Sequence, residues 1–111
     1  MEVAFVMVAR GGKFAVRAED GAFPSEPRLK RMPDEVARGL AASLLRVEPD
    51  PWAVISLSGY CEDGEREFLV YSTTVPEVFP LPPGLEWRDA SALSGPASDM
   101  ARQSVGVVSR G

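Results

Sequence analysis

"DEVARGLAASLL", residues 34–45, is the stretch on which the rest of the chain depends. Val36, Leu40 and Leu44 recur at helical spacing, Val47 continues the stripe, and Ala37 and Ala41 lie beside it. Pro33 suits a first helical turn, and Asp34 and Glu35 favour the positive end of a helix dipole. "EPDP" at 48–51 should stop the helix. At roughly 100° per residue, Gly39, Ala42 and Ser43 gather on the side opposite the apolar stripe, joined by Arg46. One helix therefore has an apolar face for a core and a small-residue face that another backbone can approach closely.

Upstream, "EVAFVMVA" at 2–9 reads as a buried strand. "RGGK" at 10–13 is a tight turn, because its two glycines supply positive φ, and "KFAVRA" at 13–18 returns as a second strand. Residues 19–32, "EDGAFPSEPRLKRM", read as a loop of glycine, proline and mixed charge. Downstream, "WAVISLSGY" at 52–60 and "REFLVYSTT" at 66–74 are strands joined at the "CEDGE" hairpin around Gly64. "VPEVFPLPPG" at 75–84 is too proline-rich for a strand. "LEWRDASAL" at 85–93 holds a short strand ending in a turn, and "PASDMARQSVGVV" at 96–108 is a second helix. The order is strand, strand, helix, strand, strand, short strand, helix: a mixed sheet with helices on its faces, α+β in class.

The length, 111 residues, fits one domain, which at this size buries roughly 65% of its unfolded surface. The net charge is −4 and the only lysines are Lys13 and Lys30, which disfavours nucleic-acid binding. The longest apolar run, Val3–Ala9, is too short to span a bilayer, and no cleavable leader pattern is present. The lone cysteine, Cys61, excludes an internal disulfide framework and reads as an exposed thiol at the hairpin. The expected location is the cytoplasm. The absence of histidine excludes Ser-His-Asp and Cys-His catalysis and histidine-ligated zinc. Any metal would be a hard cation such as Mg²⁺ held by carboxylates.

The element order resembles the Nudix hydrolase fold over nearly the whole chain. A glycine-turned hairpin opens it, and a loop leads into Arg38-Gly39-Leu40, where the family has Arg-Glu-aliphatic. "LEWRDASAL" is similar to the Glu-Trp segment common late in that fold, and a final helix follows. The family motif is G-x5-E-x7-R-E-U-x-E-E-x-G-U, with U aliphatic. Laid on Arg38 without gaps, its first glycine falls on Pro24 and its first glutamate on Lys30. The next three acids fall on Gly39, Ala42 and Ser43, the late glycine on Leu45 and the last aliphatic on Arg46. Only Arg38 and Leu40 match. In the family, glutamates clustered on one helical face hold Mg²⁺, which offsets phosphate charge and activates a water.

The resemblance implies a Nudix-like mixed sheet sandwiched between helices, residues 1–111, that has lost hydrolase activity and serves binding or assembly. No catalytic residue, metal ligand or cofactor is assigned. A nucleotide-like small molecule is the expected ligand, with Arg17, Arg28, Arg38 and Trp87 as candidate contacts, bound without Mg²⁺. A homodimer or another protein is the expected partner; nucleic acid and membrane are not. The alternative is a diverged, Mg²⁺-dependent Nudix hydrolase of a nucleoside diphosphate derivative using Glu26, Glu86 or Asp89. An unrelated interaction module is the third reading. Arg28, Lys30 and Arg31 read either as a phosphate clamp before the helix or as a solvated loop. Glu62, Asp63, Glu65 and Glu67 read either as a cation-holding cluster or as a solvated hairpin tip.

Overall fold

A strand covered on both faces has no polar side to show, and "EVAFVMVA" is such a strand. In the computed structural model, which describes residues 1–45, 55–76 and 80–108, it is β1 (Glu2–Ala9), buried from Val3 to Ala9. The other elements are β2 (Lys13–Arg17), β3 (Ser25–Pro27), α1 (Pro33–Leu45), β4 (Ser56–Asp63), β5 (Arg66–Val75), β6 (Leu85–Asp89), a 3₁₀ turn at Ala90–Ala92 and α2 (Gly95–Val108). The strand order is β4-β5-β1-β2-β6, with β3 also paired to β1. β1 runs parallel to β5 along its whole length, and the other pairings are antiparallel. β3 and β2 share the remaining edge of β1: Glu2–Ala4 face β3, and Val8 faces Phe14 of β2.

The period-two alternation of β1 builds two cores. Val3, Phe5 and Met7 point to one face and pack with Ala15 against Val36, Ala37, Leu40 and Ala41 of α1. Ala4, Val6 and Val8 point to the other and pack with Phe14, Val16, Phe68 and Val70 against Ala97, Met100 and Ala101 of α2. The result is an α+β layer structure: a mixed six-stranded sheet with a helix on each face. Among the described residues no helix is long and apolar enough to cross a membrane. The Gln103 side chain of α2 lies over Gly59, in space that a Cβ there would crowd. Gln103 Nε2 donates to the Tyr60 carbonyl there, at 2.8 Å.

Three sequence expectations are revised. The loop expected at 19–32 contains β3, a three-residue strand too short to show alternation. It tolerates its terminal Pro27 because it is an edge segment. β4 continues past Tyr60 to Asp63, so the turn shrinks to Gly64 and Glu65. Cys61 is consequently not an exposed thiol. It sits opposite Phe68 in the ladder and is 6% exposed, within the α2-face core. Leu81 and Trp87 are half-buried and pack against the α1-face core. Arg46, Val47, the 48–51 stop, Trp52, Val78 and Phe79 lie outside the described residues.

Candidate functional site

The amphipathic spacing of α1 fixes which of its side chains reach solvent. With Val36, Ala37, Leu40 and Ala41 buried, Arg38, Gly39 and Ser43 are exposed and Ala42 is half-buried. A Cβ on Gly39 would meet nothing within 4 Å. Lys30 is exposed in the preceding loop. Among the described residues no three His, Cys, Asp or Glu side chains stand close enough to share a metal ion. The three acids considered as replacement ligands are dispersed. Glu26 pairs with Arg31 at 3.5 Å, Glu86 pairs with Arg88, and Asp89 is exposed at the end of β6.

A cavity lies on the other side of the sheet. It has a volume of about 210 Å³, between the end of β2, the 20–25 turn, the start of β5, β6 and the chain entering α2. Its apolar wall includes Ala4, Phe23, Phe68, Leu93 and Met100, with Phe23 edge-on to Phe14 at 6.3 Å. Arg17, Arg66 and Arg88 line it, together with Asp20, Asp63, Ser25 and Ser94.

Local chemistry places each arginine. Asp20 Oδ1 accepts from the Ala22 amide at 3.0 Å, and the Arg17 amide donates to the Ala22 carbonyl at 2.8 Å, closing the turn after β2. Gly21 has φ +73° in that turn, and a Cβ on it would lie 2.6 Å from Arg88 Nη1. Glycine thus satisfies the backbone and leaves room for the guanidinium. Arg88 is carried here by strand alternation: Trp87 faces the α1 core, so Arg88 and Glu86 face the α2 side. Arg66 Nε and Nη2 each donate to a Glu2 oxygen at 2.7 Å, and its guanidinium carbon lies 4.8 Å from the centre of the Phe68 ring. Arg17 contacts Glu19 at 3.3 Å and Asp20 at 3.7 Å.

Every arginine in the cavity therefore already faces a carboxylate, so a ligand carboxylate or phosphate would bind by exchanging partners with it. The guanidinium fork suits both oxyanions. Cys61 is buried in the α2-face core. Desolvation, followed by the nearby Asp99 and Asp63 charges, pushes its thiol up from the ordinary range.

Of the contacts expected from sequence, Arg17 lines this cavity; Arg28, Arg38 and Trp87 do not. Arg17 also borders an open, largely apolar hollow of about 460 Å³ beside Leu44, Pro82 and Leu85. Arg66 and Arg88 also line the first cavity, and neither holds a defined position in a sequence motif. Alternation from Trp87 could have indicated Arg88, but the position of Arg66 depends on the β1–β5 pairing.

The Glu2–Arg66 pair gives a pH test. Arg66 hydrogen bonding holds the Glu2 carboxyl below the ordinary glutamate range. A lowered folded-state value gives stability that is complete above the unfolded value and lost as pH falls through the folded one. The Arg66 side chain is 56% exposed, so solvent limits the pair to about 1 kcal/mol. Urea unfolding of wild type and Glu2→Gln should differ by about that much at neutral pH and converge in acid below the glutamate range. A gap independent of pH would refute the assignment.

No family model matches the sequence, and no curated protein matches it. Solved structures do match, over nearly the full chain. DR0079 from Deinococcus radiodurans aligns with TM-score 0.66 and 15% identity, covering 92% of this chain and 79% of its own. The C-terminal domain of mouse MUTYH, in complex with human PCNA, aligns with TM-score 0.61 and 19% identity over 92% of this chain and 84% of that one. A NUDIX family hydrolase from Clostridium perfringens aligns with TM-score 0.58 and 11% identity over 98% and 95%. At these identities the likeness concerns the fold, which is Nudix-like.

Proposed function

We propose that this chain is a Nudix-like domain used for binding or assembly, with the hydrolase chemistry of the fold lost. The observation that carries the proposal is the solvent face of α1. Gly39, Ala42 and Ser43 stand where the resembled family's motif has acids, and they provide no carboxylate oxygen for Mg²⁺. The cavity supports small-molecule binding, since its three guanidiniums and apolar wall suit an anionic, nucleotide-like molecule held without a bridging metal. The MUTYH domain, crystallised with PCNA, supports use of such a fold for protein contacts.

The test is thermal unfolding with a panel of nucleoside diphosphates and nucleotide-sugars, with Mg²⁺ or with EDTA. A binder at 100 times its dissociation constant should stabilise by about 2.7 kcal/mol, equally in both conditions. Arg88→Ala should weaken that binding by about tenfold or more, the loss of a charge-assisted contact. Affinity that rises strongly with Mg²⁺, or metal-dependent turnover abolished by Glu86→Gln or Asp89→Asn, would establish the diverged hydrolase instead.

A further inference from the structure

One end of the sheet carries two prongs of opposite charge. Glu2 pairs with Pro27 of β3 on one side and with Phe68 of β5 on the other. Strands neighbour each other at about 4.8 Å, so the segments leaving β3 and β5 start roughly 10 Å apart.

The first prong is the turn Arg28–Arg31. The Arg31 amide donates to the Arg28 carbonyl at 3.1 Å, and the Arg28 amide donates to the Met1 carbonyl at 3.0 Å. Arg28 Nε donates to the Arg31 carbonyl at 2.8 Å, and Arg31 Nη2 to the Pro27 carbonyl at 3.0 Å. This bracing holds Leu29 at φ +54°, a left-handed backbone that leucine rarely adopts, with 78% of the residue exposed. Exposed Met1 and Met32 belong to the same end of the molecule. Arg31 is paired with Glu26 at 3.5 Å, so the cation the turn presents is Lys30, at its tip, which makes no ion pair among the described residues.

The second prong is the β4–β5 hairpin, whose Glu65 projects about 10 Å beyond Phe68, three residues at strand rise. Glu62, Asp63, Glu65 and Glu67 are exposed on it, and its arginine, Arg66, is occupied by Glu2.

A two-fold dimer needs a surface complementary to itself, in which one patch meets a second patch twice. A basic, apolar-tipped turn beside an acidic hairpin meets that requirement. We propose that the occupant of this end is a second copy of the chain, the Arg28–Arg31 turn of each protomer seated against the Glu62–Glu67 hairpin of the other. The exposed Leu29 and Met32 are then shielded between them. The inference rests on the assembly part of the reading above. Its failure is separable from that of ligand binding, because neither Lys30 nor Glu65 lines the cavity.

Charge reversal decides it. Sedimentation velocity on the full chain should show a dimer at about 0.05 M NaCl that weakens by about tenfold at about 0.5 M, where screening is strong. Lys30→Glu and Glu65→Lys should each weaken it by about tenfold or more, since each change acts twice in a two-fold dimer and places like charges together. Mixing the two variants should restore association as a heterodimer, in which both contacts again join opposite charges. Circular dichroism on each variant checks that the fold is kept. A monomer at all salt concentrations overturns the proposal. So does a dimer indifferent to both reversals, or a mixture that fails to recover. Dissociation by Ser43→Glu, with the reversals silent, would move the interface to the small-residue face of α1.

Discussion

Phe5→Ala is expected to cost about 3–5 kcal/mol, the range for deleting a buried aromatic ring and leaving a cavity. Phe5 is fully buried in the central strand, and its ring belongs to the core shared with Val36, Leu40 and Ala41 of α1. It lies opposite Tyr71 of β5, and its amide donates to the Pro24 carbonyl at 2.9 Å. The backbone bond survives the substitution, so the loss measures side-chain packing. Domains of this size have total stabilities of about 5–15 kcal/mol, so the variant should be close to unfolding at room temperature. The contrast is Leu57→Ala on β4, 56% exposed, which should lie within about 1 kcal/mol of wild type. Urea titration of both variants is the measurement. Equal losses at the two positions would contradict the two-core architecture.

Installing acids on α1 should have the largest functional effect. With Gly39, Ala42 and Ser43 together replaced by Glu, the helix presents an oxygen cluster on its solvent face. Gly39→Glu enters open space and raises helix propensity by a few tenths of a kcal/mol or more. Three neighbouring carboxylates repel one another, however, so the metal-free variant should unfold at a lower temperature than Gly39→Glu alone. Mg²⁺ should reverse this, stabilising the triple variant by about 2.7 kcal/mol at 100 times the dissociation constant, and leave wild type unchanged. Wild-type protein should likewise show no Mg²⁺-dependent cleavage of nucleoside diphosphate derivatives. A triple variant blind to Mg²⁺ would sink the equation of α1 with a metal-binding helix.

The secondary structure was legible wherever one periodicity ran long enough. β1 showed as an unbroken apolar run because it is buried on both faces, and α1 as a 3.6-residue stripe because only one face meets the sheet. β3 left no such signal. Its Ser25–Pro27 is polar and three residues long, and it exists because β1 offers a free edge beside β2. The burial of Cys61 was hidden for a related reason. A bulge between Leu57 and Gly59 shifts the β4 register, and its facing is set by pairing with Phe68 rather than by neighbours in sequence.

The candidate site divides in the same way. Sequence alone determined which side chains share the solvent face of α1, because helical geometry is local, and the bare Gly39, Ala42 and Ser43 face was readable before any fold was known. It also named Arg17. Tertiary structure alone decided that Arg17 shares a cavity with Arg66 and Arg88, and that Arg28, Arg38 and Trp87 lie elsewhere. Arg66 reaches its place through parallel β1–β5 pairing, which brings it to Glu2, 64 positions earlier in the chain. Such a contact depends on which strands become neighbours. That choice is made by the burial of two whole sheet faces at once, and it leaves no local pattern around either residue.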